Sequence, residues 1–330
     1  MKPIGKVLCA TGAVARLIAF FWKDDFNPAS AGIGEQIAYH YARFGAEIVL
    51  TDIREAVLQK VVEKCLTLGA KKIFYIAADM SFPSEPEKMV QFAVQKLGKH
   101  PEHLFGFQVS PIDGQGMGPL CDCVTAFSAV QGGLDYLVLN HASTNCFQEW
   151  AGDVEYTCWL MPVNFFSYVA LATAALPTLE KNRGALVVVS SLTGKMPTPF
   201  TTYSATKFAL DGFFSSLCHE LIMQKKDVSV TLCILGLIDT ESALECTRYV
   251  FLRRNASLLE NMPKYAQQLS PRGWAKCSSA SPLLAIVRGG ATRAHGIFYP
   301  RWLQQLRCLW ALFPSSGNSV LRTFYNCSSP

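Results

Sequence analysis

The chain has 330 residues, half of them hydrophobic, enough for one large buried core and within the length of a single domain. Its net charge of +5 rests on only 17% charged residues with no dense Lys/Arg block, so nucleic acid is not indicated as a partner. Twelve cysteines (9, 65, 121, 123, 146, 158, 218, 233, 246, 277, 308 and 327) stand without a C-x-x-C pair, which argues against a zinc site or a disulfide framework, and no metal is expected.

Residues 1–25 read as an N-terminal hydrophobic signal or anchor segment. Val7 to Phe21 is apolar apart from Arg16, Thr11 and small residues, with Lys2 and Lys6 ahead of it. Fifteen residues broken by an arginine fall short of the roughly 18–20 that a spanning helix needs. If the segment anchors, its lysines place the N-terminus in the cytosol and the remaining chain in the lumen. Asn255-Ala-Ser and Asn326-Cys-Ser are glycosylation sequons, relevant only on that route.

Ser30-Ala-Gly-Ile-Gly34 reads as a glycine turn feeding a helix, a place where backbone N–H groups and a helix N-terminus can approach a pyrophosphate. Ala46 to Asp52 reads as a strand. An acid just past such a strand can bind the adenosine ribose hydroxyls and repel a 2′-phosphate, so Asp52 argues for NAD, whereas Arg54 could meet that phosphate. A helix over Val57–Leu66, a strand over Lys72–Asp79 and a helix over Glu87–Leu97 follow. Residues 99–132 are rich in Gly, Pro and His, lack clear periodicity, and read as an irregular insertion too long for an ordinary loop.

Leu134 to Asn140 and Ala185-Leu-Val-Val-Val-Ser-Ser191 are continuous apolar runs with polar ends, the pattern of strands buried on both faces. Asn164 lies between them in a helical stretch. The second run leads into Tyr203-Ser-Ala-Thr-Lys207, where a phenol and an ammonium share one face of a helix. A free phenol, with a pKa of about 10, is a poor proton donor at neutral pH, and a fixed cation one turn away favours its phenolate. Val228 to Gly236 is a further strand, residues 241–270 should cap an apolar cleft, and 301–330 form an amphipathic tail. In that tail Trp302, Leu306, Leu309, Trp310 and Phe313 make a helical stripe suited to a membrane surface or to packing.

This constellation resembles the short-chain dehydrogenase/reductase family, with its Asn, Ser and Tyr-x-x-x-Lys set. Within it the chain is similar to the 11-beta-hydroxysteroid dehydrogenase branch, through Ala38–Arg43, Leu58–Val62, Val163–Tyr168, Lys207–Ser216 and Leu235–Thr240. The resemblance spans roughly residues 29–98 and 132–300. It implies a doubly wound Rossmann-type parallel sheet in one domain over residues 26–300, transferring a hydride between NAD(P) and a hydroxyl or ketone carbon of an apolar substrate, a steroid in that branch.

On these positions the resemblance implies catalytic Asn164, Ser191, Tyr203 and Lys207, with Ser190 an alternative because the loop to Tyr203 is one residue short. Asn164 would hold a water linking Lys207 to solvent. It implies cofactor contacts from Ser30, Gly32, Ile33, Gly34, Asp52, Asp79, Met80, Asn140, Tyr203, Lys207, Ile238 and Thr240. His141 reads as a packed neighbour of the site. The branch is associated with NADP, against the NAD reading of Asp52. It further implies a homodimer at the endoplasmic reticulum membrane or lumen, or secretion if the N-terminal segment is cleaved.

Two departures stand out. The family pattern T-G-x-x-x-G-x-G follows a buried strand, but here Pro28 holds the first glycine's place, Asn27 precedes it, and no buried strand leads in. Lys6 to Gly12 is strand-like but distant. The first strand therefore looks missing. Gly98-Lys99 and Gln131-Gly132 are what a translated splice donor and acceptor encode, so the expectation is a retained intron and a skipped exon. The alternative function is a catalytically impaired splice or gene-model variant.

Overall fold

The structure, a computed structural model, describes residues 32–97, 120–121, 124–128, 134–143, 150–198, 200–236, 238 and 280–312. The expectations for the N-terminal segment, Pro28, Ser30, Thr240, the cap over 241–270 and the end of the tail lie outside them.

Among the described residues, seven strands form the main sheet. They are β1 (Glu47–Asp52), β2 (Lys72–Ala77), β4 (Val124–Ser128), β5 (Tyr136–Leu139), β7 (Ala185–Ser191), β8 (Ser229–Leu235) and β9 (Gly296–Tyr299), in the order β2-β1-β4-β5-β7-β8-β9. Two short strands, β3 (Leu120–Cys121) and β6 (Ala142–Ser143), pair separately. The pairs β1/β2, β5/β7, β7/β8 and β8/β9 are parallel. Continuous apolar sequence is what a parallel strand covered on both faces requires, and β7 and β8 are buried over six of their seven residues each.

Successive side chains go to opposite layers, as the two-residue period of a strand dictates. Val49, Leu137, Leu139, Leu186, Val188, Leu232 and Ile234 pack on one side with α3 (Glu85–Leu97), α5 (Ser167–Asn182) and α6 (Thr201–Met223). Ile48, Leu50, Val138, Val187, Val189, Cys233 and Leu235 pack on the other with α1 (Ile33–Arg43), α2 (Glu55–Leu68) and α7 (Ala280–Ala291). After β9, α8 (Trp302–Leu312) buries Leu303 against Leu192 and Met196 with Leu306 and Trp310 packed alongside, so part of the stripe is packing, while Leu309 stays exposed.

The stretch 99–132 is not irregular throughout. Its residues 124–128 lie antiparallel between β1 and β5, with Val49 opposite Ala126 and Ala126 opposite Leu137. That place belongs to the central parallel strand in a doubly wound sheet. The physical reason is connection length: only residues 129–135 separate β4 from β5, enough to join antiparallel neighbours, whereas a parallel pair needs a crossover of a dozen residues or more.

Proline at position 126 removes a donor from the middle of this interior strand. Ala126→Pro is expected to cost at least the roughly 1–3 kcal/mol of an orphaned buried backbone group, read as a lower urea midpoint. An unchanged midpoint would show that β4 does not close the sheet.

Candidate active site

The helical run from Val154 is broken into α4 (Val154–Met161), a π turn over Pro162–Phe166, and α5. Pro162 has no N–H to continue the α ladder, and the N–H of Ser167 instead reaches back to the Pro162 carbonyl, the five-residue span of a π turn. The turn carries Asn164 fully inside, where its Nδ2 donates to Thr206 Oγ1 at 3.4 Å. Thr206 Oγ1 in turn donates to the Tyr203 carbonyl at 2.7 Å. Asn164 is thereby tied to α6 between Tyr203 and Lys207.

Tyr203 and Lys207 stand one turn apart on α6, 8% and 3% exposed. The Lys207 Nζ lies 5.7 Å from the Tyr203 ring centroid and 5.5 Å from that of Tyr168, a cation within reach of two aromatic rings. Leu160 packs against Tyr203, with Tyr156, Trp159 and Phe200 alongside, so the phenol sits beside apolar and aromatic surface.

The end of β7 reaches the same helix. After Ser191 the chain makes a 3-10 turn over Leu192–Gly194, and Gly194 lies so close to Lys207 that a Cβ there would come within 2.5 Å of its carbonyl oxygen. Ser191 is half-buried, and its Oγ accepts from the Thr193 N–H at 3.2 Å, which leaves its O–H proton unused in that contact. Ser190 is buried, and its Oγ has no hydrogen-bond partner among the described residues.

His141 is buried beyond the end of β5. Its ring stacks on Tyr168 at 4.2 Å, and its Nε2 lies 2.6 Å from Ser167 Oγ. The Tyr168 hydroxyl donates to the His141 carbonyl at 2.5 Å. Burial, reinforced by the Lys207 ammonium, pushes the imidazole pKa down to about 3.

The expected cofactor positions line the carboxyl edge of the sheet. Gly32 precedes α1, which begins with Ile33 and Gly34. Asp52 ends β1, where its carboxylate accepts from the Arg54 backbone N–H at 2.8 Å and from its guanidinium at 3.2 Å. Asp79, past β2, accepts from the Ser81 N–H at 2.8 Å beside buried Met80. Asn140 and Ile238 are buried just past β5 and β8.

Tyr168, Thr206 and Gly194 were not singled out from sequence. Tyr168 had a legible signal, standing four residues after Asn164 at the spacing of one helical face.

Two measurements check this geometry. Gly194→Ala sets a methyl against the Lys207 backbone, which cannot yield like a side-chain tip; a loss of about 1–3 kcal/mol in urea unfolding is expected. For His141, the unfolded chain takes up a proton near pH 6.5 that the folded chain refuses until about pH 3. Stability is therefore whole above pH 6.5 and falls as the pH drops toward 3, by roughly 2 kcal/mol at pH 5. Urea unfolding at pH 7 and pH 5 should show a correspondingly shallower decline in His141→Gln.

The sequence profile of the short chain dehydrogenase family matches residues 28–100 and 119–248. The chain is 58% identical to the hydroxysteroid 11-beta-dehydrogenase 1-like protein of Gallus gallus, over the whole of both chains. It is 43% identical to the Bos taurus protein of that name, covering 98% of this chain and 99% of that one. With the Homo sapiens protein the identity is 47%, over 74% of this chain and 70% of that one. Among solved structures, a 7 alpha-hydroxysteroid dehydrogenase complexed with NADH and 7-oxo glycochenodeoxycholic acid shares the fold, with a TM-score of 0.51 at 22% identity, covering 66% of this chain and 71% of that one. With its α/β sheet and its Tyr-x-x-x-Lys helix, the chain belongs to the short-chain dehydrogenase family of NAD(P)-dependent oxidoreductases.

Proposed function

We propose that the chain exchanges a hydride between NAD(P) and the hydroxyl or ketone carbon of an apolar substrate, with Tyr203 moving the proton. The observation that carries this reading is the Lys207 ammonium 5.7 Å from the Tyr203 ring, both groups nearly buried and tied to Asn164 through Thr206. The nicotinamide, when bound, supplies or accepts the hydride. Tyr203 holds the proton at the substrate oxygen, and the fixed charge of Lys207 favours the phenolate that remains. Ser191 donates its O–H to the same oxygen. It is favoured over Ser190 by its greater exposure. When the cofactor is bound, Lys207 would also hold the nicotinamide ribose, and Asn164 would hold a water on the route from Lys207 to solvent.

A steroid is the substrate class we assign, supported by the names of the relatives and by the apolar and aromatic side chains around Tyr203. Placement at the endoplasmic reticulum membrane or lumen, or secretion if the N-terminal segment is cleaved, and a homodimer are supported by the family resemblance together with the apolar segment at the N-terminus. Asp52 leaned the sequence reading toward NAD, but its side chain is fully covered and paired with Arg54, whose own side chain is 45% exposed. That arrangement supports NADP, with Arg54 facing the 2′-phosphate and Asp52 orienting it.

A second reading is favoured by β4. If the first strand of the dinucleotide site is missing and 99–132 is an insertion, the chain keeps the proton-transfer cluster but holds nucleotide poorly. Its antiparallel strand supports this. So does the pairing of Leu120 and Cys121 with Ser143 and Ala142 just past Asn140, at the edge where a dinucleotide crosses. Gln36 Oε1 and Thr51 Oγ1, buried on α1 and on β1 opposite Val124, have no partner among the described residues, the sign of an imperfect fit.

Titrating the purified chain with NADH and NADPH, read by nicotinamide fluorescence, separates the two readings. Saturable binding is expected, with Tyr203→Phe retaining it while losing about 10²–10⁴-fold in turnover. No binding of either nucleotide would favour the second reading. Arg54→Ser is expected to weaken NADPH about tenfold or more, on the scale of one charge-assisted contact, and to leave NADH unchanged. Equal losses for both nucleotides would sink the NADP assignment.

A further inference from the structure

We propose that His141 is a positioning residue of the proton-transfer site. As its Nε2–H tautomer it ties the π turn that carries Asn164 to the end of β5, and holds the Tyr168 ring in place beneath the Lys207 ammonium. The inference rests on the reading of Tyr203 as the proton-transferring group.

The tautomer follows from the donors and acceptors present. Ser167 has one proton, and its Oγ donates it to the Val163 carbonyl at 2.5 Å. The same Oγ, 2.6 Å from His141 Nε2, must then accept, and the imidazole must donate. Nδ1 is left buried with no partner among the described residues, so a second proton on the ring would have nowhere to point. The bond from Nε2 ends on Ser167, the residue that closes the π turn by reaching back to Pro162. His141 therefore grips the turn at the point where the helix departs from α geometry and Asn164 is turned inward.

The second grip is on Tyr168. Its ring stacks on the imidazole at 4.2 Å with 29° between the planes, and its hydroxyl donates to the His141 backbone carbonyl at 2.5 Å. The opposite role of that ring is electrostatic: the Lys207 Nζ is 5.5 Å from its centroid. Moving the imidazole would move the ring that helps to set how far Lys207 stands from Tyr203. Lys207 on α6 and Tyr168 on α5 are the titratable groups beside His141 among the described residues.

Two variants separate the roles. His141→Phe keeps an aromatic ring to stack on Tyr168 but loses the donor; His141→Gln keeps an N–H donor. With a steroid alcohol and NADP or NAD, kcat of the Phe variant is expected to fall by up to about 100-fold, the scale of a small misplacement away from the reacting atoms. KM should change little, and the acid limb of the kcat/KM profile, set by Tyr203, should move to higher pH. His141→Gln should recover most of kcat and the original pH profile. A Phe variant with wild-type kcat and profile would overturn the proposal.

Nitrogen-15 NMR of the imidazole in the full chain gives a reading independent of turnover and of variant folding. The Nε2–H form is expected throughout pH 5–8, and an Nδ1–H ring, or one that titrates in that range, would also overturn the proposal. A chain that turns nothing over sinks the proton-transfer reading on its own account. The positioning claim would then be decided by the imidazole spectrum and by whether the Lys207 Nζ resonance shifts in His141→Phe; an unshifted resonance would overturn it.

Discussion

The pairing of β4 with both of its neighbours is the constraint on which the rest of the sheet depends. Without those two ladders the hydrogen-bonded sheet divides into β2-β1 and β5-β7-β8-β9, each with an interior edge of unpaired N–H and C=O groups. Each such group buried costs about 1–3 kcal/mol, against a total stability of about 5–15 kcal/mol for a domain. A handful of orphaned groups would exceed what the whole fold has to lose. The gap between β1 and β5 must therefore be filled, and the constraint falls on hydrogen bonding before it falls on side-chain identity. A segment just upstream of β5 meets it with a short connection, which is why the filling strand runs antiparallel.

The same gap divides the site. Gly32, Asp52 and Asp79 belong to elements on the β1–β2 side, and Asn140, Asn164, Ser190, Ser191, Tyr203 and Lys207 belong to the other. The second group is built from contacts within residues 141–207: His141 to Ser167, Tyr168 to His141, Asn164 to Thr206, and Gly194 against Lys207. None of these contacts includes a residue of β4. The cluster proposed for proton transfer is thus assembled without contacts from the antiparallel strand between β1 and β5.

What could be read from sequence tracks how local each feature's cause is. The buried parallel strands were legible because a strand covered on both faces must be apolar throughout, and Ala185–Ser191 appears with those same ends. The face shared by Tyr203 and Lys207 was legible because helix geometry fixes it. β4 was not: five residues, Val124–Ser128, in a stretch rich in Gly, Pro and His, take strand form because two sheet edges meet them. Asp52 and Arg54 were each noticed, yet their ion pair, which covers the carboxylate, depends on how the chain turns after β1. At the end of β7, register favours Ser191 while the short loop to Tyr203 keeps Ser190 open, and the structure leaves Ser191 the more exposed of the two.

Lys207 offers the strongest internal argument that this cluster is kept for chemistry. An ammonium only 3% exposed gives up most of its hydration, a loss of several kcal/mol even after a protein relaxes around it. Two aromatic rings return part of that at about 0.5–2 kcal/mol each. An apolar side chain of similar length, such as methionine, would fill the space without losing hydration, so the charge at this position is held by polar and aromatic contacts and not by packing alone. Tyr168 deepens the point, for it is fully buried, with the ammonium 5.5 Å from its centroid and the His141 ring stacked on it. A charge held inside a fold in this way is what the proposed role asks for, beside a phenol that under that proposal gives up a proton and takes it back.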